Sequence, residues 1–152
     1  MCSVIQEVLA EEAFSSIGCA AHVSLATLVR DYEPLTEEER QYARNLLTHV
    51  DFLLFNQMDK QPVLAIEVDG AGFHEAGSKQ AERDMKKNSV LEKCSVPFLR
   101  LRTDGSGEKE KIRTALKGEL LCRKLSGTRS DARNMETLLK ARLSMISSFA
   151  AA

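Results

Sequence analysis

The chain has 152 residues, 43% of them hydrophobic, which suits one globular domain, spanning 1–152, around a single core. No stretch reaches the ~20 apolar residues of a membrane span, and Met1-Cys2-Ser3-Val4-Ile5-Gln6-Glu7 has neither the basic region nor the long apolar run of a signal peptide, so a cytoplasmic protein with no membrane partner is expected. The net charge of −1 argues against avid, nonspecific DNA binding, yet residues 1–75 hold 4 Lys/Arg against 13 Asp/Glu and residues 76–152 hold 17 against 9, so the halves carry −9 and +8.

In chain order, Ser3 is a candidate cap for a helix running to about Phe14, with Val4, Val8, Leu9 and Ala13 along one face. Residues 21–29, with His22-Val23-Ser24-Leu25-Ala26-Thr27, read either as an edge strand or as a short helix. Thr36 with Glu39 has the spacing of a capping box, which predicts a helix from Glu37 to about Leu47. His49-Val50-Asp51-Phe52-Leu53-Leu54-Phe55 and Pro62-Val63-Leu64-Ala65-Ile66-Glu67-Val68 are short apolar runs separated by the polar stretch 56–61, the pattern of two antiparallel neighbouring strands. Gly77-Ser78 opens a helix to about Cys94, and Pro97 to Leu101 is a further strand. Asp104-Gly105-Ser106-Gly107 is a turn, after which 109–125 and 133–146 read as helices. Cys2, Cys19, Cys94 and Cys122 are scattered without a C-x-x-C pair, which argues against zinc and against a disulfide framework.

Acids at the ends of apolar strands need a reason, because an isolated carboxylate in a low dielectric is costly. Asp51 and Glu67 are candidate ligands for a hard divalent cation, joined by Asp69 and a main-chain carbonyl near Val68. Strand alternation puts Glu67 and Asp69 on one face while Val68 points to the core, and Gly70 lets the backbone turn away. Structural alternatives remain beside this: Asp51 bonding a loop or an arginine, and Glu67 and Asp69 forming ion pairs with Arg100 or Lys87. On the following helix, Lys79, Arg83, Lys86 and Lys87 fall at i, i+4, i+7 and i+8, a basic stripe beside the acids, with Met85, Leu91 and Cys94 as apolar contacts. Such a stripe can support a phosphodiester as negative charge develops, or can simply face water.

Taken in series, Asp51-Phe52, Ile66-Glu67-Val68-Asp69-Gly70 with His74, Arg83-Asp84 and Pro97-Phe98-Leu99-Arg100 resemble the PD-(D/E)XK nuclease superfamily. The branch is that of very-short-patch repair endonucleases and an uncharacterised bacterial domain often attached to helicases. The resemblance covers roughly residues 48 to 103. It implies an α/β, restriction-endonuclease-like fold with a mixed sheet of about four strands flanked by helices. It also implies metal binding by Asp51, Glu67, Val68 and Asp69, with Mg2+ or Mn2+ as cofactor. The catalytic set would be Asp51, Glu67, Asp69, His74 and Lys87, and Lys79, Arg83, Lys86, Lys87 and Arg100 would meet nucleic acid. Two positions depart from the pattern: Asp69 stands where E-x-K has its lysine, for which Lys79 or Lys87 would substitute, and Asn88 stands where an acid often follows the helix lysine. Glu7 lies where related nucleases often carry a helix-borne acid, but reads first as an exposed helical glutamate.

The expected activity is metal-assisted hydrolysis of DNA phosphodiesters in repair, recombination or defence, with RNA open. The alternatives are a noncatalytic nuclease-fold module that binds DNA or a partner protein, and, ranked below it, a hydrolase of small phosphate esters. Expected partners are DNA, a helicase or ATPase in cis or trans, and a second copy in a homodimer. The ending Phe149-Ala150-Ala151-Ala152 and a start directly in a helix fit a fragment of a longer protein.

Overall fold

The computed structural model describes residues 1–70, 79–102 and 106–127. Helix α1 (Cys2–Leu9), a 3-10 turn (Glu12–Phe14), strand β1 (Ile17–Ser24) and the short helix α2 (Leu25–Leu28) lead to α3 (Glu37–Arg44). Then come β2 (His49–Asn56), β3 (Pro62–Asp69), α4 (Lys79–Lys93), β4 (Phe98–Arg102) and α5 (Glu108–Gly127). The sheet order is β1-β2-β3-β4, antiparallel at the first two joints and parallel at the third. This is the α/β class expected from sequence, a four-stranded mixed sheet flanked by helices. The expected helix 133–146 lies outside the described residues.

The sheet is buried on both faces, which is why β2 and β3 carry nearly continuous apolar runs. On one side α1 and α5 deliver Ile5, Val8, Ile112 and Leu116 onto Leu54, Leu64, Ile66, Leu99 and Leu101. On the other, α2, α3 and α4 deliver Leu25, Leu28, Ala43, Val90 and Leu91 onto Val50, Leu53 and Ala65. The crossover helix α4 joins β3 to its parallel neighbour β4, as a parallel pair requires.

Three local outcomes differ from the sequence reading. The first helix ends at Leu9, because Glu11 turns extended (φ −69°, ψ 136°) and the 3-10 turn that follows buries Phe14 in the core. Residues 21–29 hold both candidate structures in tandem, the end of β1 and then α2, and β1 begins earlier, at Ile17. Met85 is exposed; Val90 and Leu91 are the buried apolar residues of α4.

Two caps fix α3 and α4, the second of which carries Lys87. In α3 the capping box forms: Thr36 Oγ1 accepts from Glu39 N–H, and Glu39 Oε2 accepts from Thr36 N–H at 2.8 Å. Helix α4 ends in a Schellman motif, with Ser95 N–H donating to Glu92 O, Val96 N–H donating to Leu91 O, and Ser95 at φ +54°.

Candidate functional site

Where β2 and β3 run side by side, their ladder stops at the pair Phe52 and Ile66. Beyond it, the side chain of Asp51 replaces a backbone partner: its Oδ2 accepts from Val68 N–H at 2.8 Å. Glu67 faces the same space and is only 6% exposed. Its Oε2 accepts from Lys87 Nζ at 2.9 Å, and the same ammonium donates to His49 O at 3.0 Å. Lys87 thus leaves the helix surface and ties α4 to β2 and β3.

The second oxygen of Glu67, Oε1, is buried without a hydrogen-bond partner. Burial pushes the Glu67 carboxyl above the usual carboxylate range and the Asp51 charge pushes the same way, while Lys87 pulls it down. An under-satisfied acid of this kind, next to a second carboxylate, is what a divalent cation would satisfy, so Asp51 and Glu67 fit the metal that the motifs imply. Val68 contributes its backbone here, and its side chain packs on the α1–α5 core.

Asp69 is drawn to the other cation of the site. Arg100, opposite Glu67 in the parallel register, donates from Nη1 to Asp69 Oδ1 at 3.0 Å and from Nε to Asn88 Oδ1 at 3.3 Å. Its Nη2 stands 3.2 Å from Asp84 Oδ1, close enough for charge attraction but out of hydrogen-bond alignment. The alternative pairings noted from sequence therefore form: Glu67 with Lys87, and Asp69 with Arg100.

The basic stripe of α4 splits. Lys87 turns inward, Lys86 pairs with Glu38 and lies over the Tyr42 ring at 5.9 Å, and Arg83 is exposed, its carbonyl accepting from Tyr42 Oη at 3.1 Å. His74 and the side chain of Lys79 lie outside the described residues. Glu7 is exposed and pairs with Lys109 at 3.0 Å on the α1–α5 side.

Two histidines that sequence reasoning left without a role stand beside Asp51. His22 of β1 and His49 of β2 bring their rings to 5.1 Å, and one ligand atom from each of His22, His49 and Asp51 lies within 4.8 Å of the others. The spacing of His49 and Asp51, two apart on a strand, was a signal; His22 joins them only through the β1–β2 register.

Compared with known proteins, residues 4–120 match a family described as a protein of unknown function, DUF2726. The chain belongs to the DUF2726 family. The match spans β1 to β4 and takes in Asp51, Glu67, Lys87 and Arg100, so the whole site of this DUF2726 chain lies within the family region. No curated protein and no solved structure matches it. No helix among its described residues is long and apolar enough to cross a membrane.

Proposed function

We propose that this DUF2726 chain is a metal-dependent endonuclease with a restriction-endonuclease-like site, hydrolysing DNA phosphodiester bonds. The observation that carries the reading is the convergence of Asp51, Glu67 and Lys87 at the parting of β2 and β3, with Glu67 Oε1 buried and unsatisfied. Asp51 and Glu67 would hold Mg2+ or Mn2+, and the bound ion would supply charge neutralisation and a water of lowered pKa. Lys87 is the fixed positive charge beside the acids and takes the place of the E-x-K lysine, ready to stabilise negative charge developing on a phosphate oxygen. Arg100 holds Asp69 and draws Asp84 of α4 toward it, keeping the helix in place. Arg83, exposed on the same helix, is a candidate phosphate contact. A cytoplasmic location, a helicase or ATPase partner and a homodimer belong to the same proposal.

The second reading, a noncatalytic module that binds DNA or a protein, draws on the internal neutralisation of Glu67 by Lys87 and of Asp69 by Arg100. Cleavage of supercoiled plasmid and of labelled single-stranded, flapped and mismatched DNA, in Mg2+ or Mn2+, separates the two. Asp51→Asn, Glu67→Gln and Lys87→Ala should each lower the rate roughly 10²-fold or more. A wild-type protein that cuts none of these substrates, and whose calorimetry shows no Mg2+ or Mn2+ uptake, would leave the noncatalytic reading standing.

A further inference from the structure

We propose that His22, His49 and Asp51 form a binding site for a late first-row divalent transition ion, of the cobalt, nickel and zinc class, on the β1–β2 side of the sheet. The proposal shares Asp51 with the phosphodiester reading but does not depend on it, since it concerns binding and a different ligand set.

The geometry starts with the strand register. Ala21 pairs with Phe52 and Val23 with Val50, so His22 stands opposite Asp51 between two intact pairs. At that position His22 adopts φ +51°, a left-handed conformation that L residues rarely take and that is out of place in a strand. The same backbone goes with a ring set edge-on to His49, at an interplanar angle of 63°.

His49 is prepared by its own hydrogen bond. Its Nδ1 lies 3.1 Å from Leu47 O. A carbonyl can only accept, so Nδ1 carries the proton and Nε2 carries the free lone pair. An imidazole that donates one ring N–H to a backbone carbonyl is the usual outer support of a metal-binding histidine. The backbone of His49 is held as well, by Lys87 Nζ on its carbonyl at 3.0 Å. Asp51 accepts from Val68 N–H and keeps lone pairs for a cation.

Distances and ligand types then choose the ion. With metal–ligand bonds of about 2.0–2.2 Å, neighbouring ligands of a tetrahedral ion sit about 3.3–3.6 Å apart. The three ligand atoms here lie within 4.8 Å of one another, so an inward movement of each side chain by about 0.8 Å or less closes the site. Two imidazoles and one carboxylate suit borderline ions, whereas Mg2+ prefers oxygen ligands and water. Three protein ligands leave further positions open to water or a substrate. The scattered cysteines were read as arguing against zinc; that argument bears on thiolate ligands, and this ligand set uses none.

The test uses the full chain, stripped of metal. Cobalt titration followed by visible d–d absorption, with zinc calorimetry beside it, should give one equivalent bound by the wild type. His49→Ala and His22→Gly should each weaken binding at least about tenfold, while Glu67→Gln should leave it nearly unchanged. His22→Gly also separates folding from ligation, because glycine takes the positive φ freely: the metal-free variant should melt no lower than wild type yet lose the zinc-induced rise in melting temperature. Three results would overturn the proposal: no uptake of either ion by the wild type, equal affinity in His22→Gly and wild type, or affinity lost in Glu67→Gln but kept in His22→Gly. The last would place the ion on the Asp51–Glu67 pair instead. Failure of DNA cleavage alone leaves these binding readouts untouched.

Discussion

Replacing Lys87 by methionine keeps the side chain's apolar length and removes its charge, which isolates what the ammonium does for Glu67. The pair is largely sheltered, with side-chain exposures of 14% for Lys87 and 7% for Glu67. Glu67 Oε1 already lacks a partner, so the variant would leave both carboxylate oxygens unsatisfied. Removing one member of a buried ion pair costs about 3 kcal/mol when the other stays charged. For a chain of 152 residues that corresponds to a fall of roughly 6–12 °C in melting temperature. The cost must depend on pH. Burial and Asp51 already raise the Glu67 pKa above 4.5, and Lys87 is the first of the influences pulling it back. Without Lys87 the folded pKa climbs further. A raised acid contributes stability that is fully present below its unfolded pKa and is lost as pH rises through the folded one. The penalty of Lys87→Met should therefore be larger at mildly alkaline than at acidic pH, because Glu67 takes up a proton as pH falls. Urea unfolding followed by circular dichroism at the two pH values measures it. A loss below about 0.5 kcal/mol, the size of an exposed pair, and unchanged between the two pH values, would refute the argument that Glu67 is buried against Lys87.

Lys87→Met should also bind Mn2+ more tightly than wild type, because the ammonium and the cation compete for Glu67; calorimetry in which the variant binds more weakly would contradict this. Glu39, on α3 and buried against α4, is held down to about 2 by hydrogen bonds from Lys93, Ser89 and Thr36. Its stabilisation is present above pH 4.5 and is lost as pH falls toward about 2. Glu39→Gln should cost on the order of 2 kcal/mol at neutral pH, discounted because Lys93 is partly exposed, and should flatten the acid limb of a melting-temperature profile. Ser95→Gly relieves the φ of +54° in the Schellman motif and should stabilise by about 1 kcal/mol, a rise of roughly 2–4 °C in calorimetry.

The strands that carry the acids were legible because their apolar runs are buried on both faces and bounded by turn residues. Helix α4 and the capping box of α3 were legible for similar local reasons. Strand β1 was not. Ile17-Gly18-Cys19-Ala20-Ala21 is poor in β-branched and aromatic residues, and it becomes a strand by pairing with β2. Phe55 supplies the missing bulk: a Cβ on Gly18 would lie 2.7 Å from its ring. At the site, Asp51 and Glu67 could be read from the chain alone, since acids at the ends of buried strands are unusual. The fate of the basic stripe could not. Helical spacing places Lys86 and Lys87 side by side, and only the docking of α4 sends one to Glu38 and the other to Glu67.

That docking also explains why two departures from the nuclease pattern go together. Asp84, Lys87 and Asn88 sit at i, i+3 and i+4 on α4, so they share one face. Glu67 and Asp69 share one face of β3, and Arg100 faces Glu67 across the parallel ladder. With an acid instead of lysine at position 69, Arg100 is needed there, and it binds Asp69 while attracting Asp84. An acid at position 88 would add a further negative charge against the same guanidinium; Asn88 offers a neutral acceptor instead. On the proposed reading, Lys87 of α4, one helical turn beyond Asp84 and bonded to Glu67, stands in for the lysine absent from β3. Among the described residues, this leaves Asp51, Glu67, Asp69 and Asp84 against Lys87 and Arg100, four negative charges against two positive. The remainder equals the charge that a single divalent cation would cancel. It is shared, with one excess negative charge where Lys87 faces Asp51 and Glu67 and one where Arg100 faces Asp69 and Asp84. On the reading proposed above, a cation held by Asp51 and Glu67 would offset the excess on their side, which otherwise raises the cost of burying Glu67.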